Sequence, residues 1–139
     1  MAELHPFNHT GNFTIGKLGL PGGLLLKAIL TVPQGTSQVT GHGVLSQATN
    51  PPLHNQSAFH GSVHSLGVGG AKQVYALQGT AIPPLLGAPH VTELLIQLDS
   101  VWGRAGKASY TYVQGETVHR VEDQEVAVQW LLQENERAA

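Results

Sequence analysis

Apolar and polar residues alternate with a period of two along most of the chain, the spacing of strands with one face on a core. Leu24, Leu26, Ala28, Leu30 and Val32 share one face of an extended segment, opposite Leu25, Lys27, Ile29 and Thr31. The first face is core and the second is mixed. Pro33-Gln34-Gly35 supplies a turn into a strand over 36–47, where Gly41 and Gly43 relax the backbone. Asn50-Pro51-Pro52 then interrupts the ladder, because proline offers no N–H and restricts the residue before it. The partner strand runs over 56–66, and Gly67-Val68-Gly69-Gly70 turns the chain into another over 72–80. On that strand Gln73, Tyr75 and Leu77 share a face.

Ile82 to Pro89 reads as a stiff connection. Beyond it Leu94, Ile96 and Leu98 oppose Glu93, Leu95, Gln97 and Asp99, and Ala108, Tyr110 and Tyr112 share a face of the strand over 107–113. Phe13 and Ile15 open the series as an edge strand. From Glu122 the period changes, since Val126 and Trp130, with Leu131 and Leu132 beside them, form a helical stripe. Glu122 and Asp123 suit the positive end of a helix dipole, so a helix is predicted over 122–137, packed on the sheet because it is too short to stand alone. The fold class that results is mainly β: an antiparallel β-sandwich or partly closed barrel with a C-terminal α-helix, in a single domain over 1–139, a length that supports one core.

Only 12% of residues are charged, so solubility rests on neutral polar groups. The basic residues are scattered from Lys17 to Arg137 without a cluster that could displace phosphate counterions, which argues against a nucleic-acid partner. The longest apolar run, Leu24-Leu25-Leu26, ends at Lys27, so no membrane insertion is expected. The opening Met-Ala-Glu-Leu-His-Pro has no basic segment followed by an apolar one, and a cytoplasmic location is favoured over export. Absence of cysteine excludes disulfides, thiol chemistry and thiolate metal sites, and no cofactor is predicted. Three Asn-x-Ser/Thr patterns, at Asn8, Asn12 and Asn55, are short enough to arise by chance.

Among eight histidines, His42, His60 and His64 are the metal candidates. On a strand His60 and His64 share a face but stand about 13 Å apart, so one ion would need His42 from a neighbouring strand beside one of them. A structural or surface role is the simpler reading. His60 is followed by Gly61 and not by the glutamate of a zincin helix, and no Gly-x-Ser-x-Gly elbow supports a triad from Ser57, His60 and Asp99. Gly67 to Lys72 lacks the spacing and the Ser or Thr of a phosphate loop and reads as a hairpin turn. Tyr75, Trp102, Tyr110 and Tyr112, with Asn50 and Asn55, are the ligand-binding candidates, because aromatics exclude water while tyrosine and tryptophan keep a polar handle. Tyr110 and Tyr112 either form an exposed stripe for a sugar or protein or underlie the terminal helix. Ala108 on the same face favours the latter.

The runs Val39-Thr40-Gly41-His42-Gly43, Ser46-Gln47-Ala48-Thr49-Asn50-Pro51-Pro52-Leu53 and Gly106-Lys107-Ala108-Ser109-Tyr110-Thr111-Tyr112 resemble the small bacterial family called domain of unknown function 1842, over about residues 12–115. The resemblance implies a small standalone β protein, carries over no catalytic residue, and leaves the segment from Glu122 to Arg137 as an addition. The function expected is that of a noncatalytic binding or structural protein. Its partner is a protein, a second copy of the chain or a glycan, met through the loops over 49–56 and 82–89. Two alternatives are a small histidine-based, metal-assisted hydrolase and a lectin-like glycan-binding module.

Overall fold

In the computed structural model, which describes residues 8–17, 23–47, 53–66, 72–84 and 88–131, the period-two segments become strands that pair in chain order. They are β1 (His9–Gly16), β2 (Leu24–Val32), β3 (Gln38–Gln47), β4 (Leu53–Leu66), β5 (Lys72–Ala81), β6 (His90–Leu98), β7 (Ala105–Gln114) and β8 (Thr117–Trp130). Every neighbour pair is antiparallel, and β8 returns to pair with β1 from Gly11↔Trp130 to Ile15↔Val126, which closes the sheet into a barrel.

Alternation decides what fills it. Phe13 and Ile15 of β1, Leu26 and Leu30 of β2, and Leu94, Ile96 and Leu98 of β6 all point inward and are buried. Between them Lys27, Ile29, Glu93, Leu95 and Gln97 face outward. The outer wall is largely polar, and the core is the barrel's interior. At Gly61 the neighbouring strand comes so close that a Cβ would meet the Ala76 carbonyl oxygen, so only glycine fits there.

The expectation of a sandwich or partly closed barrel with a C-terminal helix is overturned by β8. No described residue is helical, and residues 117–130 of the anticipated helical region and its approach are strand; 132–139 lie outside the described residues. The cause is a β-bulge. Ala108 pairs with Gln124 while Tyr110 pairs with Val121, so β8 spends an extra residue, and Asp123 adopts φ 60°. Val121 packs on the core before the bulge, and Val126, Val128 and Trp130 do so after it. The inward positions switch from odd to even numbers, and that switch imitates a change of period. The same closure makes β1 an interior member of the sheet, paired with β2 and β8, where the sequence suggested an edge. Tyr110 and Tyr112 are covered by the barrel itself and not by a helix.

A second bulge lies in β6. His90 and Val91 pair with Val113 and Tyr112, whereas Glu93 pairs with Thr111, leaving Thr92 extra. The inward set accordingly passes from Val91 to Leu94.

Candidate functional site

The two ends of the barrel differ in chemistry. The first end holds the last residues of β2, β4, β6 and β8 and the first of β1, β3, β5 and β7, His9 and Trp130 among them; the second holds the opposite ends of the same strands.

Aromatic packing seals the first end. The loop after β6 is tied down by Asp99 N–H to the Ala105 carbonyl at 2.9 Å and Gly103 N–H to the Ser100 carbonyl at 3.0 Å. It presents Trp102, with φ 54°, so that the indole stacks on His9 at a centroid distance of 3.6 Å and an interplanar angle of 4°. Trp130 stands edge-on to Trp102 at 5.5 Å and to Phe13 at 5.6 Å, and its Nε1–H donates to the Gly103 carbonyl at 2.9 Å. Beneath this cap the buried Gln73 accepts at Oε1 from the Tyr75 hydroxyl at 2.9 Å and from the Trp102 N–H at 3.1 Å. Burial pushes the Tyr75 phenol far above its ordinary value near 10, so it remains a donor. Tyr75 and Trp102, two of the candidates from sequence, are therefore parts of one plug.

The second end is different. Asn55 sits two residues inside the start of β4 on the inward parity of Ser57 and Phe59, and only 6% of it is exposed. Neither Nδ2 nor Oδ1 of its carboxamide has a hydrogen-bond partner. Tyr110, 1% exposed, likewise has an unpartnered hydroxyl. Buried polar groups are nearly always paired, so two such side chains in one small interior mark it as unusual. Ser57 accepts at Oγ from the Val91 N–H at 2.8 Å, which ties β4 to the start of β6 across the interior. Val91 pairs in turn with Tyr112 and Tyr112 with His119, whose ring stacks on the tyrosine at 4.7 Å and 16°. Tyr110 and Tyr112 lie 6.4 Å apart, centroid to centroid. Burial, and for Tyr110 also the neighbouring Tyr112, raises both phenols above the ordinary value near 10, so both stay protonated and neutral around pH 7.

Among the candidates from sequence, Asn55, Tyr110 and Tyr112 thus all take inward, buried positions, Asn55 and Tyr112 toward the second end and Tyr110 in the middle of β7, and Asn50 lies outside the described residues. Parts of both anticipated recognition loops, residues 48–52 and 85–87, lie outside them too. His42, His60 and His64 are exposed on the outer wall. His42 stands opposite Ala58 and His60 opposite Thr40, while His64 shares a hydrogen bond with Ser62 Oγ at 3.0 Å. Among the described residues no three His, Asp or Glu side chains converge to hold a metal ion. Sequence reasoning does not single out Ser57, Gln73 or His119 for binding. Gln73 carries a readable signal, a polar residue on the same face as Tyr75 and Leu77. Ser57 carries the same signal beside Phe59.

No helix among the described residues is long and apolar enough to cross a membrane. No curated protein matches the chain. A protein-family profile matches residues 9–117, from the first residue of β1 to the first of β8. With most of its length so matched, the chain belongs to the family described as Domain of unknown function (DUF1842).

Proposed function

We propose that this protein is a noncatalytic binding protein that takes a small molecule into the second end of its barrel, with Asn55 and Tyr110 supplying hydrogen bonds. The observation that carries this reading is the set of unpartnered polar atoms, Asn55 Nδ2 and Oδ1 and the Tyr110 hydroxyl, on side chains more than nine-tenths buried. Each buried polar group left unpaired costs about 1–3 kcal/mol, a cost that a ligand bearing matching groups removes. Eight-stranded barrels have an interior of the size that side chains fill or one small ligand occupies. Here the first end is filled by the rings of His9, Trp102 and Trp130 over the hydrogen-bonded Gln73 Oε1, which leaves the second for binding.

An aqueous setting goes with this reading. A barrel in lipid turns an apolar band outward, whereas this wall presents Lys27, His42, His60, Glu93, Lys107 and Glu125. Small-molecule binding is preferred to a lectin-like role because Tyr75, Tyr110 and Tyr112 face the interior and offer no exposed platform on which a sugar could stack. It is preferred to a metal-assisted hydrolase because His42, His60 and His64 stand on the outer wall and, among the described residues, no group of three possible ligands converges.

The test pairs stability with binding in Asn55→Leu and Tyr110→Phe, which keep volume and remove the orphaned atoms. Urea unfolding should find both variants at least as stable as the parent, gaining up to about 2 kcal/mol. A thermal-shift screen of small polar-headed molecules should find ligands that stabilise the parent and neither variant. If both variants lose more than about 1 kcal/mol and no compound distinguishes them from the parent, the atoms serve the fold through bound water and the reading fails.

A further inference from the structure

We infer that the ligand is an uncharged molecule with a carboxamide-like edge, a donor beside an acceptor, which pairs with both ends of the Asn55 carboxamide and reaches the Tyr110 hydroxyl. This inference rests on the binding site proposed above and specifies the chemistry that site accepts.

The two orphaned atoms of Asn55 define the edge. Nδ2 lacks an acceptor and Oδ1 lacks a donor, so whichever way the carboxamide is turned, the complementary group must offer one of each. A ketone or ether would answer only Nδ2, and an ammonium group only Oδ1. A primary amide, lactam, urea or imide answers both in one plane. The Tyr110 hydroxyl, which can donate or accept, adds a third contact without demanding a particular partner.

Charge is excluded by what surrounds the site. The buried polar side chains described are Asn55, Ser57 and Gln73, all neutral, and the last two have hydrogen bonds of their own to Val91 N–H and to Tyr75 and Trp102. An anion entering would find no buried Lys or Arg, and a cation no buried Asp or Glu, among the described residues. The phenols of Tyr110 and Tyr112 stay protonated and cannot serve as counter-ions. His119 is only half-buried, its ring face stacked on Tyr112. An ion stripped of water without a partner is strongly disfavoured, whereas a neutral amide exchanges its water hydrogen bonds for those of Asn55.

Isosteres of three charges give the test. The full chain, labelled with ¹⁵N, is titrated with acetamide, acetate and acetamidinium, and with the larger benzamide, benzoate and benzamidinium. The readout is the Asn55 side-chain NH₂ resonance, assigned by through-bond connectivity. Acetone and acetophenone serve as neutral probes that accept a hydrogen bond but donate none. The expected result is that an amide shifts the Asn55 resonance and binds at least about tenfold more tightly than its acid, its amidinium or the two single-function probes, the factor for one well-made hydrogen bond. Equal or tighter binding by a carboxylate or amidinium overturns the neutrality of the ligand while the binding site stands. Equal binding by acetone or acetophenone overturns the paired edge, again with the site intact. If none of the eight probes moves Asn55, both this inference and the binding reading fall.

Discussion

At the scale of single residues, the contrast between Gln73 and Asn55 separates structure from function. Both are amides on inward positions of the wall, but Gln73 Oε1 accepts two hydrogen bonds and Asn55 accepts none. Gln73 should therefore behave as a fastener of the cap. Gln73→Leu keeps the volume while removing the acceptor shared by the buried Tyr75 hydroxyl and the half-buried Trp102 N–H, which should cost about 1–3 kcal/mol in urea unfolding. Tryptophan emission should shift to the red as the cap loosens. A loss below about 0.5 kcal/mol would mean that aromatic packing alone holds the loop. Opposite behaviour in Asn55→Leu, no loss or a gain, would set the two amides apart. Both are readable from the sequence, to different depths. Gln73 falls on the face of Tyr75 and Leu77 in an uninterrupted alternation, so its burial is fixed by parity. Asn55 lies only three residues after Pro52, where the pattern predicts a loop as far as residue 56, and the start of β4 at Leu53 is what carries it inside.

At the scale of elements, β8 shows where pattern reading stops. The strands β2, β5 and β7 keep one parity from end to end, and their faces can be assigned from sequence alone. The bulge in β8 shifts the inward set by one, and beyond it Val126 and Trp130, four apart with Val128 between them, stand next to Leu131 and resemble a helical stripe. Nothing in Glu122-Asp123 marks a bulge for a reader of sequence, since acidic residues also suit the start of a helix. The bulge makes a prediction of its own at Asp123, whose φ of 60° favours glycine, asparagine or aspartate. Asp123→Gly relieves the backbone but loosens the unfolded chain, and the two effects should cancel to within about 0.5 kcal/mol. Asp123→Val places a β-branched residue in the left-handed region and should cost about 1–2 kcal/mol. Chemical denaturation of the pair measures the difference. Equal stabilities would show that the bulge migrates along the strand to avoid the strain.

At the scale of the whole molecule, closure is the property on which the rest depends, and β8 provides it. The family profile ends at residue 117, where β8 begins, and the segment from Glu122 to Arg137 lies beyond it, as the resemblance implies. The barrel nonetheless depends on the strand that starts there. β8 pairs with β1 and β7, and it contributes Val126 and Val128 to the core and Trp130 to the sealed end. A chain ending at Glu116 would expose two sheet edges and leave Phe13 without the Trp130 ring that packs against it. Each large apolar side chain returned to water costs about 1.5–3 kcal/mol, so losing three and their strand pairings consumes most of a typical margin of about 5–15 kcal/mol. That shortened chain should be unfolded or aggregated, with no sheet signal in circular dichroism and no monomer peak on size exclusion. Adding a synthetic peptide of residues 117–131 should restore both, because the missing piece is a strand that fits between two open edges. A shortened chain that stays monomeric and folded without the peptide would show that β1–β7 make a sufficient sheet and that closure is secondary to the fold.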